Sequence, residues 1–267
     1  MIKFVRDGVE LTAYDLDGKL PVIFQHGLGG DASQVAEVFP DGPAFRRVTL
    51  ECRAQGESEA GAYNQLSVAT FADDVIAYAN ARYIDRFIVG GISMGAAIAL
   101  RLAITAPDRV RGLIIARPAW LWEPAPVNMA PFHEIAPYLR QADREAARRD
   151  FERSTIGVTL ARNAPDNLAS LLKFFDTTKP EATAELLSRI SLDGPGVTRD
   201  QIRTIAVPTL VIAHGIDTVH PLAYGRTLAD EIKGSAFVEI APKVGSKAQY
   251  VHEFKSAVSD FLTRNKF

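Results

Sequence analysis

Ser93 stands between two glycines in the stretch Arg86-Phe87-Ile88-Val89-Gly90-Gly91-Ile92-Ser93-Met94-Gly95-Ala96-Ala97-Ile98-Ala99-Leu100. A serine hydroxyl attacks a carbonyl usefully only when a base takes its proton, an acid orients that base, and N–H donors await the oxyanion. The residues before Ser93 form a short apolar run with β-branched members, and those after it are Ala/Leu-rich with helical periodicity, so the turn falls at the serine. A G-x-S-x-G turn from strand to helix leaves no room for a Cβ on either flank and lifts the hydroxyl beside a helix N-terminus. The pattern reads as a nucleophile elbow, although a glycine-rich turn with an incidental serine would carry the same letters.

The elements that must position such a serine follow in order. Phe4 to Val9 and Glu10 to Leu16 alternate around Asp7-Gly8 as an antiparallel edge hairpin. Leu20 to Gln25 is a buried-strand run that ends in His26-Gly27-Leu28-Gly29-Gly30, with a helix opening near Asp31 and Ser33. Arg46 to Glu51 supplies another strand, and Ser67 to Tyr83 a helix with Phe71, Val75, Ile76 and Tyr78 on its buried side. After the elbow helix, Val110 to Ala116 returns as a strand. Strands alternating with helices imply a parallel sheet covered on both faces. Residues 118–203 differ: helix-like segments broken by prolines, with no convincing strand, read as a helical insertion. Within it, Arg140 to Asp150 mixes acids with its arginines and reads as a solvated face rather than a basic partner site. Val207 to Ala213 resumes the strand pattern, Leu222 to Ile232 is a helix, and Ala236 to Ile240 is the last strand. The final helix aligns Val251, Phe254, Val258, Phe261 and Leu262 on one stripe.

The 267 residues, 47% of them hydrophobic and 23% charged, suffice for one domain with a large insertion. A net charge of −2 gives no basic field for nucleic acid, and no apolar run approaches a membrane span. Charges in Met1 to Gly8 occupy the place where a signal peptide needs an apolar stretch, so the cytoplasm is the expected compartment. The single cysteine, Cys52, reads as a small core residue.

With these pieces in order, the chain resembles the α/β-hydrolase fold superfamily across nearly its whole length. The resemblance rests on His26-Gly27-Leu28-Gly29-Gly30, Glu51 to Ser58, the Ser93 elbow, the helical segment, and Asp217-Thr218-Val219-His220-Pro221 after a late strand. It implies an α/β fold: a mostly parallel central sheet with helices on both faces and a helical cap. Residues 1–117 and 204–267 would form the core domain and residues 118–203 the cap. The Glu51 segment departs from the usual Asp-x-Arg-Gly-His-Gly form at Glu51, Ala54 and Gln55, which bears on loop shape. By the resemblance, the amides of Met94 and Leu28 would form the oxyanion hole, and Asp217 would be the acid. Asp217 could instead cap the helix that begins near Pro221.

The family's base normally follows the last strand, often as Gly-His. Here that stretch is Ile240-Ala241-Pro242-Lys243-Val244-Gly245-Ser246-Lys247-Ala248, without histidine, and a serine at position 246 cannot serve as a base near neutral pH. Of the five histidines, His252 falls beside the apolar stripe of the last helix and reads as surface. His26 reads as a brace for its loop, His214 as a structural donor, and His133 as a cap residue. His220, three residues after Asp217 at the C-terminal sheet edge, is the candidate base, set against a reading as a pocket-lining or helix-start residue. Lys243 would need a strong desolvation shift to act as a base and is expected to be exposed. Trp120 and Trp122 are candidate substrate-binding residues, with packing between cap and core as the alternative.

The expected activity is hydrolysis of a small ester, lactone or C–C substrate through Ser93 with an atypical base. Two alternatives keep the fold. One is a ligand-binding or regulatory protein that has lost the base, and the other a lyase or cofactor-free oxygenase that uses the oxyanion hole. No cofactor or metal is implied. The expected partner is a small-molecule substrate, not nucleic acid or membrane, and a homo-oligomer is compatible with the chain.

Overall fold

A computed structural model describes residues 1–265 and 267. The strands are β1 (Ile2–Arg6), β2 (Val9–Asp15), β3 (Leu20–Gln25), β4 (Phe45–Leu50), β5 (Phe87–Ile92), β6 (Val110–Ala116), β7 (Thr209–Ala213) and β8 (Ala236–Glu239). They form one sheet in the order β1-β2-β4-β3-β5-β6-β7-β8. β2 runs antiparallel to β1 and β4, and the remaining pairs are parallel. β5, with every residue buried, lies inside the sheet, so its C-terminal end opens onto the edge where loops from neighbouring parallel strands converge.

The helices of the first half are α1 (Ala32–Val38), α2 (Val68–Ala81) and α3 (Met94–Thr105). Between β6 and β7 come α4 (Ala130–Leu139), α5 (Arg144–Arg153), α6 (Thr155–Asn163), α7 (Pro165–Leu172), α8 (Pro180–Leu192) and α9 (Arg199–Arg203), with no strand. α10 (Leu222–Glu231) follows β7 and α11 (Lys247–Arg264) ends the fold.

Alternation along β5 sorts its side chains to opposite faces. Ile88 and Ile92 join Val35, Phe39, Phe254 and Val258 under α1 and α11, whereas Phe87 and Val89 join the cluster that holds α2 and α3. That second cluster runs without a break into Phe151, Leu171 and Leu187, so the helices between β6 and β7 share a core with the sheet. Full burial of side chains this size stabilises by about 1.5–3 kcal/mol each. Ile76 and Val251 are only half-buried, and Tyr78 and Tyr250 take the deeper places beside them. The mixed-charge run behaves as a solvated face: on α5, Arg149 meets Glu145 and Arg148 meets Glu152 one turn apart.

Candidate active site

Ser93, between β5 and α3, has φ 57° and ψ −112°, a positive φ that a non-glycine residue adopts only where its surroundings enforce it. Enforcement comes from both sides. The Ser93 N–H donates to Ala116 O at 2.9 Å, and Ser93 O accepts from Ala96 N at 2.9 Å. A Cβ on Gly91 would lie 2.4 Å from the backbone of Gly95, and one on Gly95 would lie 2.2 Å from Gln25 O. The two flanking glycines are therefore demanded by backbone packing between β5, α3 and β3.

The loop after β3 approaches from the adjacent strand. Its amides are assigned one by one: Gly27 N donates to Gln34 Oε1 at 2.7 Å, Gly29 N to Gln55 Oε1 at 2.7 Å, and Gly30 N to Gly27 O at 2.9 Å. Among the described residues, Leu28 N and Met94 N, the first amide of α3, make no hydrogen bond. His26 holds this loop from below, with Nδ1 against Gly27 O at 2.8 Å and Nε2 accepting from Cys52 N at 3.0 Å. Burial pushes its pKa down, in keeping with a neutral imidazole. The unusual Glu51 and Gln55 shape the neighbouring loop: Glu51 accepts from Ala32 N and Glu57 N, and Gln55 secures Gly29. Cys52 is buried, and burial raises its thiol pKa.

Asp217, in the loop after β7, is almost wholly buried and fully engaged. Oδ2 accepts from Arg117 Nε at 3.1 Å and Nη2 at 2.7 Å, while Oδ1 accepts from Asn167 Nδ2 at 2.9 Å and His220 N at 3.0 Å. Both oxygens lie 2.9 Å from His220 Nδ1. Burial would raise the Asp217 pKa, but His220 and Arg117 outweigh it and hold the carboxyl well below its ordinary range. An ionised carboxylate only accepts, so Nδ1 of His220 carries the proton and Nε2 presents a lone pair. Nε2 is buried without a hydrogen-bond partner. The imidazole pKa is lowered, first by burial and then by Arg117, whose Nη2 is 3.1 Å from Nδ1; Asp217 acts in the opposite direction. His214 also lies against Asp217, with Nε2 3.5 Å from Oδ2 and its ring edge-on to Tyr250.

Ser93, His220, Leu28 and Arg117 line one cleft of about 610 Å³, together with Phe132, Asn167, Lys173 and Phe174 from the helices between β6 and β7. Phe132 and Phe174 meet edge to face at 6.1 Å over it, and Phe174 packs against Gly29 so closely that a Cβ there would sit 2.2 Å from the ring.

Residues 21–253 match the family model described as alpha/beta hydrolase fold. The chain belongs to the α/β-hydrolase family. It is 26% identical to the 2-hydroxymuconate semialdehyde hydrolase of Pseudomonas sp. strain CF600, over 97% of this chain and 93% of that one. It is 24% identical to the pyrrolizixenacetamide deacetylase of Xenorhabdus hominickii, over 97% of each. The crystal structure of the enol-lactonase from Burkholderia xenovorans LB400 overlays with a TM-score of 0.74 at 25% identity, covering 98% of this chain and all of that one.

Against the α/β-hydrolase pattern, the place after β8 where a base is expected has another use. Ser246 Oγ accepts from Gln249 N at 3.2 Å and caps α11. His252 and His133 are exposed, and neither lines the cleft. Lys243, expected to be exposed, is half-buried and lines the cleft beside Arg117. Trp120 and Trp122 also lie elsewhere. The indole of Trp120 is 2% exposed in the core with Nε1 donating to Asp193 O, and Trp122 packs under Arg199, whose guanidinium carbon is 5.2 Å from the ring centroid. Neither indole is among the cleft-lining residues.

Sequence reading passed over Arg117 and Asn167. Arg117 is the first residue after β6, at the same sheet edge as Ser93, so its position could have marked it. Asn167, whose Oδ1 also accepts from Thr218 N and Val219 N, lies in the helical segment with no local signal.

Proposed function

We propose that this α/β-hydrolase is a serine hydrolase of a small ester, lactone or C–C substrate, with the base supplied from the acid's own loop. The observation that carries this reading is His220: Nδ1 is held by Asp217, Nε2 is buried with no hydrogen-bond partner, Ser93 Oγ included, and His220 lines the same cleft as Ser93. Ser93 Oγ attacks the substrate carbonyl and His220 Nε2 takes the proton. The imidazolium is stabilised by Asp217, and Leu28 N–H and Met94 N–H receive the oxyanion. His220 then protonates the leaving group, and water attacks the acyl-Ser93 ester by the reverse use of the same base. The helices between β6 and β7 act as the cap that closes the cleft.

A neutral alkyl fluorophosphonate tests the assignment. Phosphonylation confined to Ser93, absent in Ser93→Ala and at least about a hundredfold slower in His220→Ala, is the expected result, since general bases contribute about 10²–10⁴-fold. Labelling at full rate without His220 would remove it as base, and ester or lactone turnover surviving Ser93→Ala would remove Ser93 as the nucleophile.

A further inference from the structure

The walls of the Ser93 cleft carry four cationic side chains, Arg117, Lys173, Lys243 and Lys247, and two anionic ones, Asp31 and Glu37, in a chain whose net charge is −2. The acids are already engaged. Asp31 caps α1 by accepting from Ser33 N and Gln34 N, and Glu37 is paired with Lys247. Arg117 is paired with Asp217. Among the described residues, the side-chain ammonium groups of Lys243 and Lys173 make neither a salt bridge nor a hydrogen bond. They come from different parts of the fold, the half-buried Lys243 from the loop after β8 and the exposed Lys173 from the residue after α7.

The Lys243 side chain is partly buried, and of the two acids that favour its charged form, Glu37 is already paired with Lys247 and Asp166 makes no salt bridge to it, so a bound anion would complete its neutralisation. We propose that Lys243, assisted by Lys173, binds a carboxylate carried by the substrate at a distance from its scissile carbonyl, so that the preferred substrates are anionic esters or lactones. The inference rests on the serine-hydrolase reading for what is cleaved, but not for the anion site itself. Burial and the neighbouring Arg117 depress the Lys243 pKa, which a bound carboxylate would restore. Phe132 and Phe174 supply the apolar wall for the chain between carboxylate and carbonyl, and the positive mouth draws in anions ahead of neutral analogues.

Calorimetry in the Ser93→Ala background with monomethyl adipate and its neutral partner dimethyl adipate reads the site without turnover. That protein is expected to bind the monoanion about ten- to a hundredfold tighter, the range for a hydrogen bond to a charged group, and the calorimetry of the lysine variants below is done in the same background. That preference should fall at least about fivefold in Lys243→Gln, persist in Lys243→Arg, and fall less in Lys173→Gln, with thermal melts confirming that each variant is folded. In parallel, the kcat/KM ratio for mono-4-nitrophenyl adipate over 4-nitrophenyl hexanoate should follow the same order. Equal binding of the two adipates, or a preference that survives Lys243→Gln, overturns the proposal. Anion preference without fluorophosphonate labelling of Ser93 would keep the anion site and remove the serine-hydrolase reading; labelling without preference would do the reverse.

Discussion

The loops after β7 and β8 leave adjacent parallel strands on the same sheet edge, yet they do different work. The first places Asp217 and His220 three residues apart, with Asp217 Oδ1 accepting from the backbone and the imidazole of the same histidine. The second places Lys243 in the cleft wall and uses Ser246 as a helix cap. In the family pattern the acid and base come one from each loop. On the function proposed above, a single turn supplies both, and the adjoining loop is free to face the substrate. That proposal makes the pairing of acid and base a matter of their mutual geometry and not of which strand delivers the base.

The sharpest way to break this comparison is His220→Ala. If the first loop alone supplies proton transfer, kcat/KM on an activated ester should fall by about 10²–10⁴-fold, the usual contribution of a general base. A fall smaller than tenfold would return the question to the other histidines, of which His214 is nearest to Asp217.

A second substitution sharpens it by separating the carboxylate from its other partner. Arg117→Gln removes a buried ion-pair partner and is expected to cost about 3–5 kcal/mol in urea unfolding. It also removes a positive charge 3.1 Å from His220 Nδ1. In the wild type burial and Arg117 lower the imidazole pKa, so the basic form persists below the ordinary value of about 6.5 and the acid limb of kcat/KM lies on that side. Without Arg117 the imidazole holds its proton more tightly, and the limb should move to higher pH. Arg117→Lys, which keeps the charge, should move it less. An acid limb that stays put in Arg117→Gln would show that Asp217 and burial alone set the base.

How much of this was legible beforehand depends on whether the constraint is local. The elbow could be read because Gly91 and Gly95 are forced by backbone atoms a few residues away or on the next strand, and the continuous apolar runs of β3, β5, β6 and β7 marked them as strands buried on both faces. His220 could be singled out because its partner is three residues distant. Arg117 and Asn167 reach Asp217 across 100 and 50 residues, and no spacing rule connects them. The fate of Lys243, Trp120 and Trp122 was likewise a matter of tertiary packing: solvent was expected for a lysine that the fold encloses, and a cleft for indoles that the fold buries or covers.

The smallest expected effect tests the other half of the comparison. Ser246 stands where a base would be sought, and its hydroxyl accepts from Gln249 N at the start of α11. Removing a cap of this kind costs about 0.5–2 kcal/mol. α11 buries Tyr250, Phe254, Val258 and Phe261 against the sheet, so fraying at its first turn should register in global stability. Ser246→Ala should therefore lower the thermal midpoint by a few degrees, about 2–4 °C per kcal/mol for a chain this long. Ser246→Asp, which keeps a capping acceptor and favours the helix dipole, should recover most of the loss. Neither variant should change kcat/KM as much as threefold, a span of about 0.7 kcal/mol. If Ser246→Ala instead cut turnover as deeply as His220→Ala while leaving the melt untouched, the loop after β8 would hold a catalytic group after all, and the division of labour between the two loops would have to be redrawn.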